Sequence, residues 1–87
     1  MLLVSFVTME EGKDIRKALG RAVKHYRVDQ NISQEKLAEL ANLDRSYISE
    51  IERGLKSASV VTLFRLSNAL QTKASELITY IERLEST

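Results

Sequence analysis

The chain has 87 residues, 44% hydrophobic and 29% charged, with 13 Lys and Arg against 12 Asp and Glu. That length supports one domain around one small core. The absence of cysteine excludes disulfides and thiolate metal sites, and a net charge of +1 means that any basic surface is local rather than spread over the molecule.

Residues 1–9, MLLVSFVTM, are apolar but too short to span a bilayer, and they lack the basic start and cleavage pattern of a secretory signal. Three readings stand side by side. The stretch is a short strand pairing with a partner chain, since LLVSFV is rich in β-formers; or a tail lying across apolar surface; or an upstream extension of a chain that starts at Met9. A docked arm or short strand over residues 1–10, ahead of one domain over 11–87, is the expectation carried forward.

With no proline, three glycines and many Leu, Ala, Glu, Lys and Arg, the remainder reads as all-α. A first helix is predicted over 11–29, where Ile15, Leu19, Ala22, Val23 and Tyr26 share one face. Arg16, Arg21, Lys24 and His25 fall mostly on other faces, and a lone histidine on a basic face reads as solvated. Asn31 suits a left-handed stop. Ser33 caps a second helix over 34–41, with Leu37, Ala38, Leu40 and Ala41 as its apolar contacts. Asn42 tolerates a positive φ and Asp44 is an N-cap for a third helix over 45–53, which Gly54 ends. Ser59 caps a fourth helix over 60–70, with Leu63, Leu66, Ala69 and Leu70 inward. A fifth, over 74–85, carries Leu77, Ile78, Ile81 and Leu84.

The second and third of these helices are joined by a turn short enough to make them cross steeply. Such a crossing needs a small residue where the backbones approach, which is Ala38, and a positive φ in the turn, which Asn42 supplies. It also needs apolar anchors toward the rest of the domain, which are Leu37, Ala41, Leu43, Ile48 and Ile51.

On these residues the chain resembles the Cro/phage-repressor (XRE-type) helix-turn-helix family across 13–78. The stretches SQEKLAELA, RSYISEIERG and SASVVTLFRLSNAL are similar to that family's second, third and fourth helices, and NLDRSYISEIERG most resembles the controller proteins of restriction–modification systems. Asn42 stands where the family usually has Gly, Ala58 where it often has Pro, and Gln71 where a Gly is common, so the end of the fourth helix is expected to differ. The resemblance implies a five-helix, lambda-repressor-like, DNA-binding domain. It also implies a sequence-specific transcriptional regulator that works in the cytoplasm as a homodimer on double-stranded DNA.

In that arrangement the third helix lies in the major groove. Arg45, Ser46, Ser49 and Glu50, opposite Ile48 and Ile51, become the base-contacting residues. Arg45 would donate twice to guanine O6 and N7, and Glu50 would accept from cytosine N4. Gln34 matches a glutamine that contacts phosphate in the family; Tyr47, Arg53, Lys56 and Ser57 are the other phosphate candidates. Arg27 and Glu52 match a pair that ties the first helix to the third through a partly buried salt bridge.

Val60, Val61, Phe64, Ile78, Tyr80 and Ile81 are more apolar surface than one small interior takes up. Phe64, Ile78 and Ile81 are therefore the expected dimer seam. No catalytic set, metal cluster, cofactor site, membrane span or small-molecule pocket is legible. The alternative reading is a protein-interaction module, or an antitoxin of a toxin–antitoxin pair, in which the apolar helices matter more than Arg45.

Overall fold

The computed structural model describes residues 9–85, with side chains from residue 15 onward. Five helices follow in order: α1 (Met9–Asp29), α2 (Gln34–Ala41), α3 (Arg45–Glu52), α4 (Val60–Ala69) and α5 (Ala74–Glu85). No strand occurs among the described residues. Of the segment expected as an arm or strand, residues 9 and 10 open α1 and the rest lies outside the described residues. No helix among the described residues is long and apolar enough to cross a membrane.

Helix α1 packs on α3 and α5, α2 packs on α3 and α4, and α4 packs on α5. The core is the meeting of five stripes: Leu19, Ala22 and Val23; Leu37, Ala38 and Ala41; Ile48 and Ile51; Leu66 and Leu70; Leu77 and Ile81. Helical spacing predicts most of this, because residues three and four apart share a face. Two expected contributors lie outside it. Leu40 is 52% exposed, because the side of α2 that it occupies faces neither α3 nor α4. Ile15 is 41% exposed, because α1 runs on past the depth of the core at its N-terminal end.

The helix starts are mostly set by side chains. Ser33 Oγ accepts from the Lys36 amide at 3.0 Å, and Ser59 Oγ accepts from the Thr62 amide at 3.1 Å. Asp44 has the extended backbone of an N-cap but makes no side-chain cap bond, so α3 begins without the one expected there. Helix α5 starts on a feature that the sequence reading missed. Glu76 accepts from the Thr72 hydroxyl at 2.6 Å and reaches back to the Lys73 amide at 3.4 Å, the reciprocal half of a capping box. The Thr72 hydroxyl, with help from that amide, holds the Glu76 carboxyl below its ordinary value.

The helix ends follow one rule. Asn31, Asn42, Gly54 and Gln71 close α1 to α4 in the left-handed region, with φ of 58°, 57°, 76° and 56°. In each case the next residue's amide bonds five residues back: Ile32 to Arg27 O, Leu43 to Ala38 O, Leu55 to Glu50 O and Thr72 to Ser67 O, at 3.3, 2.9, 2.9 and 2.9 Å. This is the Schellman closure. Gln71 thus preserves the turn that a glycine would make, at the steric cost of a Cβ.

Helices α1 and α3 cross where Gly20 is buried. A Cβ there would sit 2.7 Å from the Glu52 carbonyl oxygen and also collide with the Ile51 carbonyl, so the approach requires glycine.

Candidate nucleic-acid interface

The α2–turn–α3 unit is built from residue 33 to residue 54. Asn42 turns the chain with its own amide on the Glu39 carbonyl and the Leu43 amide on the Ala38 carbonyl. Ile48 and Ile51 are then fully enclosed, and the remaining sides of α3 are left to face outward. Arg45 and Ser46 are exposed at the start of α3, and Ser49 and Glu50 follow one turn later, half-buried. All four therefore share the short helix that Ile48 and Ile51 anchor.

Around α3 the other candidates divide into free and engaged groups. Lys56 and Ser57 are exposed, as is Arg53, whose Nε lies 3.4 Å from the Ser49 carbonyl. Tyr47 is half-buried, and its hydroxyl donates to the Ser57 carbonyl at 2.9 Å. That bond straps the first turn of α3 to the segment leading into α4. Arg21 and Lys24 are exposed on α1, whereas Arg16 is half-buried on the side of α1 that faces α5.

Behind α3 lies a polar knot. Arg27 Nε donates to Glu52 Oε2 at 2.6 Å, Arg27 Nη2 donates to Glu52 Oε1 at 3.0 Å, and Arg27 Nη1 donates to the Ile32 carbonyl at 2.9 Å. Gln34 Nε2 also donates to Glu52 Oε1, at 3.0 Å. One carboxylate therefore accepts from α1 and from α2 while belonging to α3. The Glu52 side chain is 4% exposed and that of Arg27 13%. Hydrogen bonding to Glu52 raises the Arg27 pKa, against the lowering effect of burial.

The Gln34–Glu52 bond has no sequence signature: the two residues are 18 apart and a glutamine at a helix start is common. It leaves Gln34 with a second amide hydrogen at the N-terminus of α2, beside that helix's free backbone N–H groups. Electrostatically, the arrangement puts exposed Arg45, Arg53 and Lys56 on the outer side and neutralises Glu52 behind.

The residues expected at a dimer seam divide. Phe64 is 57% exposed and Val60 and Val61 lie bare beside it on α4, while Ile78 is exposed on α5. Ile81 is 9% exposed and packs into the core, so it backs that surface rather than forming it. His25 is exposed but not merely solvated, since its ring stacks on Tyr80 with centroids 4.7 Å apart.

The helix-turn-helix family pattern matches residues 23–77. Control protein C.SmaI of Serratia marcescens is 41% identical over 66 residues, covering 76% of this chain and 79% of that protein. The crystal structure of the restriction-modification controller protein C.AhdI from Aeromonas hydrophila is similar with a TM-score of 0.69 at 37% identity, over 71% of this chain and 94% of that one. The controller protein C.Esp1396I, seen as a tetramer in complex with its natural 35 base-pair operator, is similar with a TM-score of 0.76 at 25% identity, over 84% of this chain and 96% of that one.

Proposed function

The chain belongs to the helix-turn-helix family, and from this we infer a sequence-specific DNA-binding transcriptional regulator that acts as a homodimer on a two-fold symmetric operator. The observation that carries the reading is Arg45 standing exposed at the first position of α3 while Ile48 and Ile51 of the same helix are sealed in the core. A helix held from behind in this way enters a major groove with its N-terminal side chains against base edges.

Each side chain then has a role. Arg45 reads a guanine through O6 and N7, and Glu50 accepts from a cytosine N4. Ser46 and Ser49 are short enough to work through bridging water. Gln34 offers its second amide hydrogen to a phosphate, and Arg53, Lys56 and Ser57 flank the same backbone. Tyr47 contributes through its ring and through the strap to Ser57. The Arg27–Glu52–Gln34 knot fixes the angle of α3 and keeps Gln34 in place.

A single module touches few bases, and two half-sites about 34–36 Å apart give a symmetric pair the contacts it needs. The bare apolar surface on Val60, Val61, Phe64 and Ile78 is the seam proposed for that pair. The role requires no covalent chemistry, and a reader of bacterial-type operators works in the cytoplasm.

The test is selection of bound duplexes from a random pool at stated salt, with Arg45→Ala as the control. A two-fold symmetric consensus that disappears with Arg45→Ala supports the reading. An uninformative pool, or retention that ignores salt, overturns it, because neutralised phosphates impose a slope of about −0.9 per contact in log affinity against log salt.

A further inference from the structure

A cleft of about 650 Å³ opens between α1 and α5 at the end of the molecule where α1 begins. Ile15, Leu19, Leu63, Ile78 and Ile81 supply its walls, with Arg16, Glu82 and Glu85 among its other lining residues. Ile15 and Ile78, on facing helices, remain 41% and 39% exposed. Apolar side chains left bare on both walls of a cleft mark a surface that something covers.

We propose that the apolar segment Leu2–Val7 of the same chain occupies this cleft. The segment joins α1 at Met9, about 9 Å along the helix axis from Ile15. Eight extended residues reach about 26 Å. After turning back past the start of α1, the chain therefore retains enough length to bring residues 2–6 alongside Leu63 and Ile78.

The composition fits as well. Leu2, Leu3, Val4, Phe6 and Val7 are apolar and nothing in residues 1–8 is charged, so entry desolvates no ion. Ser5 is polar, and in an extended segment alternate residues face the same way. Placing Ser5 outward turns Val4 and Phe6 into the cleft. The cleft volume lies within the range of about 300–1,000 Å³ typical of occupied sites. The proposal stands apart from the DNA-binding reading: it concerns the side of α1 that faces α5 and needs neither Arg45 nor an operator.

The chain has no cysteine, so Ser5→Cys gives one attachment point for a nitroxide on the full-length protein. Ile15 is too near in sequence to report, so the amide signals of Leu63 and Ile78 are the readout. Their selective broadening, with Leu40 and Arg45 sharp, is the expected result, as is recovery of those signals when Phe6→Asp is added. Uniform broadening, or none at Leu63 and Ile78, overturns the proposal. A mixture of spin-labelled and separately isotope-labelled chains gives the remaining check: broadening of Leu63 and Ile78 that arises only between chains assigns the cleft to a partner's segment and also overturns it. Operator binding, measured in parallel on the same label-bearing chain, reports on the DNA reading independently.

Discussion

Arg27 and Glu52 meet through two parallel hydrogen bonds, Nε to Oε2 at 2.6 Å and Nη2 to Oε1 at 3.0 Å, across the contact between α1 and α3. The pair is a mechanical joint before it is an electrostatic one. With Glu52 only 4% exposed, removal of its partner leaves a carboxylate with no water to replace the guanidinium. Arg27→Ala is expected to cost about 3–5 kcal/mol, the range for a broken buried pair. Urea denaturation checks it; a melt like the parent's with loss of DNA binding alone would mean that the joint does not carry the fold.

Gly20→Ala is expected to destabilise by about 1–3 kcal/mol, the usual cost of overpacking, even though alanine is the better helix former. The added methyl meets backbone carbonyls, 2.7 Å from that of Glu52, rather than a side chain that swings aside. A lower thermal midpoint supports this, whereas an unchanged or higher one would mean that α1 and α3 separate without penalty.

Arg45→Ala is expected to leave the thermal midpoint unchanged, since the side chain is exposed. It should weaken operator binding by about 1–3 kcal/mol per half-site, roughly 5–150-fold. Fluorescence anisotropy on specific and scrambled duplexes separates this from a phosphate contact, which would weaken both equally.

Gln71→Gly is expected to stabilise by about 0.5–1 kcal/mol, because the strain of a Cβ in the left-handed region exceeds the extra entropy that glycine loses on folding. The backbone there has φ 56° and already makes the closing bonds, so nothing else need move. Denaturant midpoints for the parent and variant decide the sign.

The capping carboxylate of Glu76 gives a pH dependence. Its pKa is lower in the folded chain because the Thr72 hydroxyl and the Lys73 amide bond the ionised form. A lowered folded value means that the contribution is complete above the unfolded carboxylate range and is lost as pH falls through the folded value. Melts between neutral pH and strongly acid pH should therefore show the parent losing its advantage over Glu76→Gln as acid is added; a constant gap would remove the cap from the account.

Sequence reasoning located the five helices to within one or two residues because periodicity and Ser or Asn caps are local signals, each contained in one turn. The α2–α3 elbow was equally legible, since Ala38, Asn42, Ile48 and Ile51 lie within one short stretch. What it missed depends on partners distant in the chain. Gln34 bonding Glu52, Tyr47 bonding Ser57 and Gly20 lying beneath Ile51 all require knowing which helices touch. Leu40 and Ile81 were misjudged for the same reason. An amphipathic face shows which residues want cover, and only the packing shows which receive it.

The four left-handed closures also bear on how fast the protein becomes active. Each bend between helices is decided by hydrogen bonds spanning at most six consecutive residues, ahead of any long-range packing. Small helical domains dominated by such nearby interactions assemble in microseconds to milliseconds. A newly synthesised chain is then competent almost as soon as it leaves the ribosome, and the lag before it acts is set by how often two subunits encounter each other.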